Sequence, residues 1–429
     1  MQPTPAPGDA SPAPPVGRRG FLQFAGGSLA AGLGGTLPPA AGAVETGRIA
    51  FPPIDAPTEP PKKPKPPPLP ESRRVGFALV GLGRLTVDEL LPAFGRTRYA
   101  KPVALVSGDR AKALTIARQY GIPERSVHDY AGYDRLADDA SVQAVYIVLP
   151  NSMHAEFTVR GAKAGKHVLC EKPMATSVAE CRQMIDACRA AGRKLMIAYR
   201  SQYEPMNRAI VKMVQEQRLG KLKEFVSVNS QHQGDPEQWR LKRALAGGGA
   251  LPDIGLYCLN GIRFLSGEEP VEVIGHTWAT PGDARFREVE ESVQFVLRFP
   301  SGLVATCSSG YASHKSQFLR LNGERGWAEM NPAYAYRGNK LRTAMVEGGR
   351  EVTTEPAIDP GDQFAHEIDH FARCILDGVD PHTPGEEGLQ DHRVMEAIYA
   401  SAKSGRPVGL TAPPGPTRGP APTEDDLAG

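Results

Sequence analysis

The 429-residue sequence predicts an α/β protein in which an N-terminal doubly wound parallel sheet is followed by a C-terminal α/β unit on a mostly antiparallel sheet. Three observations carry this expectation. Short apolar strand patterns alternate with helical ones from Arg73 to Arg200. A glycine-rich turn follows the first of those strands. Beyond Tyr203 the rhythm changes to strand patterns of period two, separated by turns and followed by two helical stretches.

Composition sets the outer bounds. A chain of this length favours two domains, and 41% hydrophobic residues support a sizeable core. With 50 basic and 48 acidic residues the net charge is +2, so neither a nucleic-acid groove nor an electrostatic membrane surface is expected. Six cysteines in so long a chain do not form a disulfide framework. Cys181 and Cys188 fall on one expected helix, about 10 Å apart along its axis, which is beyond disulfide reach.

Residues 1–43 read as an address. Gly17-Arg18-Arg19-Gly20-Phe21-Leu22 precedes a weakly apolar, glycine-rich run from Phe24 to Ala43, similar to a twin-arginine export signal and too poor in apolar residues to span a membrane. Ala41-Gly42-Ala43 suggests cleavage before Val44. A disordered N-terminus with a chance Arg-Arg pair would look the same. Export by this route carries folded proteins, so the expectation is a periplasmic protein that meets the twin-arginine machinery with its ligand already loaded. Residues 44–72 are too proline-rich for helix or sheet and form either a spacer or an arm lying along another subunit.

The globular part begins at Arg73, and residues 73–200 form the first domain. Val75 to Val80 is a buried-strand pattern, followed by Gly81-Leu82-Gly83-Arg84-Leu85-Thr86 and a helical run from about Val87 to Arg96. A glycine turn between strand and helix suits a dinucleotide pyrophosphate: Gly81 permits the tight turn, Gly83 lets the backbone approach, and the helix start offers amide donors. Thr86 stands where a third glycine is usual. The second strand, Val103 to Val106, ends in Ser107-Gly108-Asp109-Arg110-Ala111-Lys112. A site restricted to NAD places a carboxylate at this strand end. Ser107 is there instead, with Lys112 five residues on, a hydroxyl and a cation suited to the 2′-phosphate of NADP. Asp109 and Arg110 leave NAD as the alternative.

Further strands are expected at Val145 to Leu149, His167 to Cys170 and Lys194 to Ala198, with helices at Asp109 to Tyr120, Met153 to Ala164 and Val178 to Ala191. Two of these strands end in polar groups, Pro150-Asn151 and Glu171-Lys172-Pro173, at the sheet edge where open parallel sheets bind ligands. Pro173 restricts the backbone of Lys172, which makes that lysine a candidate working cation, although a plain strand-end lysine has the same appearance.

Residues 201–410 form the second domain. A helix from about Glu204 to Gln217 leads to strands at Glu224 to Ser230, Val271 to Ala279, Glu291 to Phe299, Gly302 to Ser309 and Phe318 to Asn322, then helices at Phe364 to Leu376 and Gly388 to Ala402. Residues 411–429 are Pro/Gly-rich and expected to form a flexible tail. Within this domain Gly247-Gly248-Gly249 precedes a helix starting near Leu251, which puts Asp253 and Tyr257 on one face. A carboxylate beside a phenol orients a hydroxylated substrate while the phenol exchanges a proton. For a phenol to act as base near neutral pH its ordinary value near 10 must fall, and a neighbouring ammonium such as Lys172 does this. A first-turn aspartate and a packed tyrosine are the plainer reading of the pair.

Gly81-Leu82-Gly83, Leu149-Pro150-Asn151-Ser152-Met153-His154, Glu171-Lys172-Pro173 and Gly248 to Tyr257 together resemble the Gfo/Idh/MocA oxidoreductases over about Arg73 to Val408. Tyr257, where the wider family usually has histidine, resembles its glucose-fructose oxidoreductase branch. The resemblance implies an NAD(P)-binding Rossmann domain and a C-terminal α/β domain whose open, mostly antiparallel sheet serves oligomerisation as a dimer or tetramer. It implies NADP held tightly and recycled: an aldose gives hydride and leaves as a lactone, and a ketose takes the hydride back. Lys172 and Tyr257 would assist proton transfer and Asp253 would bind substrate. Gly81, Gly83, Arg84, Leu85, Ser107, Lys112, Leu149, Asn151, His154, Glu171, Lys172, Arg200, Trp239, Arg240 and Tyr336 would line the cofactor. The proline-rich arm would reach a neighbouring subunit. Thr86, Pro252 and Gln231-His232-Gln233 depart from the branch and bear on sugar preference.

Two alternatives stand beside this reading, a sugar dehydrogenase of the same family that releases NAD(P)H at each turnover and a non-catalytic NAD(P)-binding protein. His366-Glu367-Ile368-Asp369-His370 matches H-E-x-x-H, but its helix is amphipathic and no further ligand motif follows, so no metal is expected.

Overall fold

The computed structural model describes residues 67–424 and 426–427; the expected export signal and all but the end of the proline-rich stretch expected to form an arm lie outside the described residues. The first sheet is built from β1 (Val75–Val80), β2 (Ala100–Val106), β3 (Val127–His128), β4 (Ala144–Ile147), β5 (His167–Glu171) and β6 (Leu195–Ala198), in the order β3-β2-β1-β4-β5-β6. All five pairings are parallel. Helices α1 (Leu91–Phe94), α2 (Arg110–Gln119), α3 (His154–Lys163) and α4 (Val178–Ala190) make four of the five crossovers, and a 3-10 stretch, Ala131–Asp138, makes the one from β3 to β4. Every residue of β1 is buried, as expected of a strand covered on both faces. Strand order reverses between β1 and β4, and that reversal opens a crevice at their carboxyl ends.

Side-chain caps fix the helix starts. Asp109 accepts from the Lys112 amide, Ser177 from the Glu180 amide, and Asp362 from the amides of Phe364 and Ala365. The helix expected from about Val87 to Arg96 differs from that expectation. It opens with a wide π-helical turn, Thr86–Leu90, and only then becomes α1. Pro92 has no N–H to return to the carbonyl of Asp88, which removes one regular bond from the run.

After a short turn at Arg200–Tyr203 the chain continues through α5 (Pro205–Gln215), β7 (Leu222–His232), α6 (Arg243–Ala246), a π-helical turn at Leu251–Gly255 and α7 (Leu256–Ser266). There follow β8 (Glu272–Trp278), β9 (Ser292–Arg298), β10 (Val304–Gly310), β11 (Ala312–Gly323), β12 (Gly326–Met330), β13 (Leu341–Glu347) and β14 (Arg350–Thr354), then α8 (Gln363–Asp377), α9 (Gly385–Ser404) and β15 (Val408–Gly409). These strands form one nine-stranded sheet in the order β14-β13-β12-β11-β7-β10-β9-β8-β15. Only β7 and β10 run parallel; every other neighbouring pair in this sheet is antiparallel.

Packing does not follow chain order at the end. Helix α8 returns to the first sheet, where Phe371 meets Phe77 with ring centroids 6.3 Å apart. The tail, expected to be flexible, is anchored: Arg263 donates to the Thr417 hydroxyl (3.2 Å) and Arg418 to Glu387 (3.2 Å). Its composition does not reveal this, because the anchor is a buried ionic cluster of Arg263, Glu269, Glu387 and Asp391. No described helix is long and apolar enough to cross a membrane.

Candidate active site

A cleft of about 910 Å³ lies at the carboxyl ends of the parallel strands, walled on its far side by the second sheet. The first wall is the glycine turn after β1. Gly81 adopts φ +95°, and a Cβ there would meet the carbonyl oxygen of Val148 at 2.2 Å, so no other residue fits. Gly83 faces open space, with nothing within 4 Å of a built Cβ. Thr86 is fully buried and donates its hydroxyl to the Gly81 carbonyl (2.6 Å), so the residue in the usual third-glycine position staples the turn shut.

At the end of β2 the ambiguity in the sequence is resolved by caps. The Asp109 carboxylate accepts from the Lys112 amide (2.9 Å), and Arg110 pairs with Glu124 (3.1 Å) outside the cleft. Ser107 accepts from the Asp109 amide (3.1 Å), which leaves its hydroxyl hydrogen to donate, and Lys112 lines the cleft. Such a pair fits a phosphate better than a bare ribose hydroxyl. An open glycine turn followed by a hydroxyl and a cation also fits the pyrophosphate bridge and the 2′-phosphate of NADP.

The loops after β4 and β5 form the floor. Asn151 donates to the Ala246 carbonyl (2.9 Å), tying the first sheet to the glycine-rich approach of the second unit. His154, expected to line the cofactor, does not. It is wholly buried with Nδ1 2.9 Å from the Pro173 carbonyl oxygen and Nε2 2.9 Å from that of Leu149, so it ties the two loops together from behind. The reason is geometric: His154 begins α3, and its side chain turns back under the strand ends. Burial holds its pKa below the ordinary range, and a neutral ring donates to one of the two carbonyls at a time.

Lys172 joins the two units. Its ammonium donates to the main-chain oxygen of Asp253 (2.9 Å) and to Asp253 Oδ1 (3.3 Å), and lies 4.8 Å from the centroid of the Tyr257 ring. Burial alone would lower its pKa, but Tyr257, Asp253 and Glu171 together hold it above the ordinary value, so it stays charged. Asp253 is held from the other side by the Tyr311 hydroxyl (2.8 Å) and by Arg240 (3.2 Å). Burial opposes its ionisation, yet Lys172, Arg240 and Tyr311 bring its pKa down to about 2. With three donors already on its two oxygens, the carboxylate orients Lys172 first and has little acceptor capacity left for a ligand. Glu290 fixes the start of the Asp253 turn by accepting from the amides of Gly249 (2.9 Å) and Leu251 (3.0 Å).

Arg200 closes one side. It donates to Gln363 (2.6 Å) and to the Tyr334 carbonyl (2.8 Å), and its guanidinium stands 4.9 Å from the Tyr257 ring centroid and 4.5 Å from that of Tyr336. Arg84, Leu85, Leu149, Glu171, Trp239 and Tyr336 also face the cleft, and Arg240 stacks on Trp239 at 4.5 Å. Of the residues expected to act on substrate or line the cofactor, His154 alone lies away from this cleft.

The sequence marks Gln231 and Gln233 as bearing on sugar preference but misses the polar wall to which they belong. Asn229, Gln231 and Gln233 project from and just beyond β7, and Lys315 and Gln317 from β11, all lining the cleft beside Gln238. The alternation of amides at 229, 231 and 233 on an otherwise mixed strand is the signal that marks this face. Tyr130 and Phe364 carry no such signal, and they reach the cleft only through tertiary packing. His366 and His370 do not form a metal pair: His366 Nδ1 faces the Tyr203 carbonyl oxygen (3.3 Å), while His370 faces Asp426 (3.2 Å) and accepts from the His382 amide (2.9 Å).

Comparison with known proteins follows the same division. Residues 75–199 match the oxidoreductase family described as GFO_IDH_MocA with an NAD-binding Rossmann fold, and residues 207–329 match the GFO/IDH/MocA C-terminal domain. D-xylose 1-dehydrogenase [NADP(+)] of Haloarcula marismortui is 32% identical over 336 residues, covering 77% of this chain and 91% of that protein. D-xylose 1-dehydrogenase (NADP(+)) 2 of Haloferax volcanii is 32% identical over 340 residues, 78% of this chain and 99% of that protein. The crystal structure of aldose-aldose oxidoreductase from Caulobacter crescentus, complexed with glycerol, is 46% identical with a TM-score of 0.76 and covers 79% of this chain and all of that one.

Proposed function

Because the chain belongs to the GFO/IDH/MocA family of oxidoreductases, we propose that it is an NADP-dependent enzyme that oxidises an aldose to its lactone and returns the hydride to a second sugar, a ketose in the first instance. The observation that carries this reading is Lys172 held between Asp253 and Tyr257 at the mouth of the dinucleotide turn.

The glycine turn at Gly81 and Gly83 would hold the pyrophosphate of NADP and Ser107 with Lys112 its 2′-phosphate, while Tyr336, Trp239 and Arg200 flank the remainder. When bound, NADP takes a hydride from a carbinol carbon and gives it to a carbonyl. Tyr257 takes the hydroxyl proton in the oxidative half and returns it in the reductive half. Lys172 keeps an N–H for the sugar oxygen and offsets the negative charge that grows there. Asp253, Tyr311 and Arg240 fix that ammonium, and orientation of this kind supplies much of the rate. The amides of Asn229, Gln231, Gln233 and Gln317 suit a neutral polyol, since each carries both donors and an acceptor for vicinal hydroxyls.

A second reading, a dehydrogenase that releases NADPH, is favoured by the xylose dehydrogenases among the relatives. Two measurements separate them. Denaturing extraction of protein purified without added nucleotide, analysed by mass, is expected to yield stoichiometric NADP. Incubation with aldose, the second sugar and free NADP is expected to give no steady rise of free reduced nicotinamide. Steady accumulation in the presence of both sugars assigns the enzyme to the releasing class.

Periplasmic location rests on Arg18-Arg19 and its apolar sequel, and homo-oligomerisation on the outer face of the second sheet, where Trp278 is 60% and Val346 63% exposed. Cell fractionation of the Arg18-Arg19→Lys-Lys variant, with the mature wild type run by sedimentation, tests the two in turn: retention inside the cell and a species above monomer mass are expected.

A further inference from the structure

Glu367, the central acid of the unused H-E-x-x-H pattern, points into the first sheet toward the working site. Tyr146, on β4, places its hydroxyl 2.9 Å from Glu171 Oε1 and 3.1 Å from Glu367 Oε1. Both contacts are at hydrogen-bond distance, and all three side chains are buried. Three oxygens in a row need two hydrogens. The phenol supplies one, so the second sits on a carboxyl; otherwise one of the contacts would set lone pairs against a buried anion.

The surroundings decide which carboxyl. Burial raises the Glu171 pKa, and the Lys172 ammonium, the Tyr146 hydroxyl, Arg200 and the Lys172 amide on Oε2 (3.3 Å) oppose that rise. Glu367 faces Tyr146 from β4, Glu171 from β5, and Arg200 and Tyr203 from the turn after β6, and its Oε2 has no hydrogen-bond partner. A cation-rich side keeps an anion and a partnerless side keeps a neutral acid. We propose that Glu367 holds a proton and donates it to Tyr146, whose own hydrogen goes to Glu171, so that Glu171 is fixed as the anion beside Lys172 and both Glu367 and Tyr146 act as positioning residues for the reaction. The functional half of this inference rests on the role given to Lys172 under the proposed function; the location of the proton does not. Burial, followed by the charge of Glu171, pushes the Glu367 pKa well above the carboxylate range, in the same sense.

The test uses the full-length protein and two readouts. Infrared spectra at about pH 8 are expected to contain the carbonyl stretch of a protonated carboxyl, and the wild type minus Glu367→Gln difference is expected to show that band because the variant lacks it. Asp369 and Asp391, each raised to about 6, are almost fully ionised at that pH. Absence of the band in the wild type, or its survival in Glu367→Gln, overturns the proton assignment whatever the enzyme's substrate. In Tyr146→Phe the donor to Glu171 is gone, so its pKa rises and the acid limb of the kcat profile moves up by about one pH unit. An unmoved limb with the infrared band intact overturns the positioning role alone, and a variant that binds no NADP at all points instead to failure of the function proposed above.

Discussion

The Lys172 ammonium donates to both the main-chain and the side-chain oxygen of Asp253, at 2.9 and 3.3 Å, and thereby fastens the end of β5 to the helical turn that carries Tyr257. Two residues 81 positions apart in the chain thus meet in a charged contact, and the reactive face of the cleft depends on it.

Asp253→Asn should therefore lower stability near neutral pH and also turnover. The carboxyl is held at about 2 against an ordinary 3.8, which corresponds to roughly 2 kcal/mol. Since the folded pKa lies below the unfolded one, this contribution is complete above about pH 4 and disappears as pH falls through about 2. Thermal midpoints of wild type and variant should differ by a few degrees at pH 7 and converge in strong acid. A constant gap across that range would mean that the ion pair is not the source.

Tyr257→Phe keeps the ring that packs near Arg200 and Lys172 and removes only the hydroxyl. Turnover should fall by about two to four powers of ten, the usual range for a general acid–base group. Bound NADP, measured by extraction, should be unchanged. Wild-type turnover in this variant would remove Tyr257 from the chemistry.

How much of this is legible in the sequence depends on the kind of signal. The strand ends at Gly81, Ser107, Asn151 and Lys172 can be read because a parallel sheet delivers its polar punctuation to one edge, and the cleft is at that edge. Asp253 and Tyr257 can be read because they fall one helical turn apart after a glycine-rich approach. His154 misleads for a physical reason: a polar residue beside a binding loop also serves to tie that loop down, and only its contacts with Leu149 and Pro173 distinguish the two uses. Strands β12 to β14 and the anchored tail stay hidden because their residues are specified by partners far away in the chain, such as Arg263 for Thr417. Glu367 looks like part of a metal motif until α8 is seen to pack on β1 and β4.

The paired glycines give a comparison that separates protein strain from ligand strain. Gly81→Ala puts a methyl against the Val148 carbonyl oxygen at a positive φ, and should destabilise the folded protein by about 1–3 kcal/mol. Gly83→Ala meets nothing in the protein, so its thermal midpoint without nucleotide should match wild type while NADP retention falls. If Gly83→Ala retains NADP fully, the pyrophosphate does not approach this turn.

Cofactor choice should follow Ser107 and Lys112. Ser107 keeps a hydroxyl hydrogen free because its oxygen already accepts from the Asp109 amide, and one oxygen of the Asp109 carboxylate is engaged in capping α2. Removing both groups in Ser107→Ala/Lys112→Ala should weaken NADP by about 10- to 100-fold, the range for hydrogen bonds to a charged group, and leave NAD nearly unchanged. The NADP affinity of the wild type should also decline with added salt more steeply than that of the double variant, because Lys112 is exposed and its attraction is screened. Fluorescence titration of nucleotide-free protein with each dinucleotide at two ionic strengths measures both quantities. Equal losses for NAD and NADP would move the 2′-phosphate away from the end of β2.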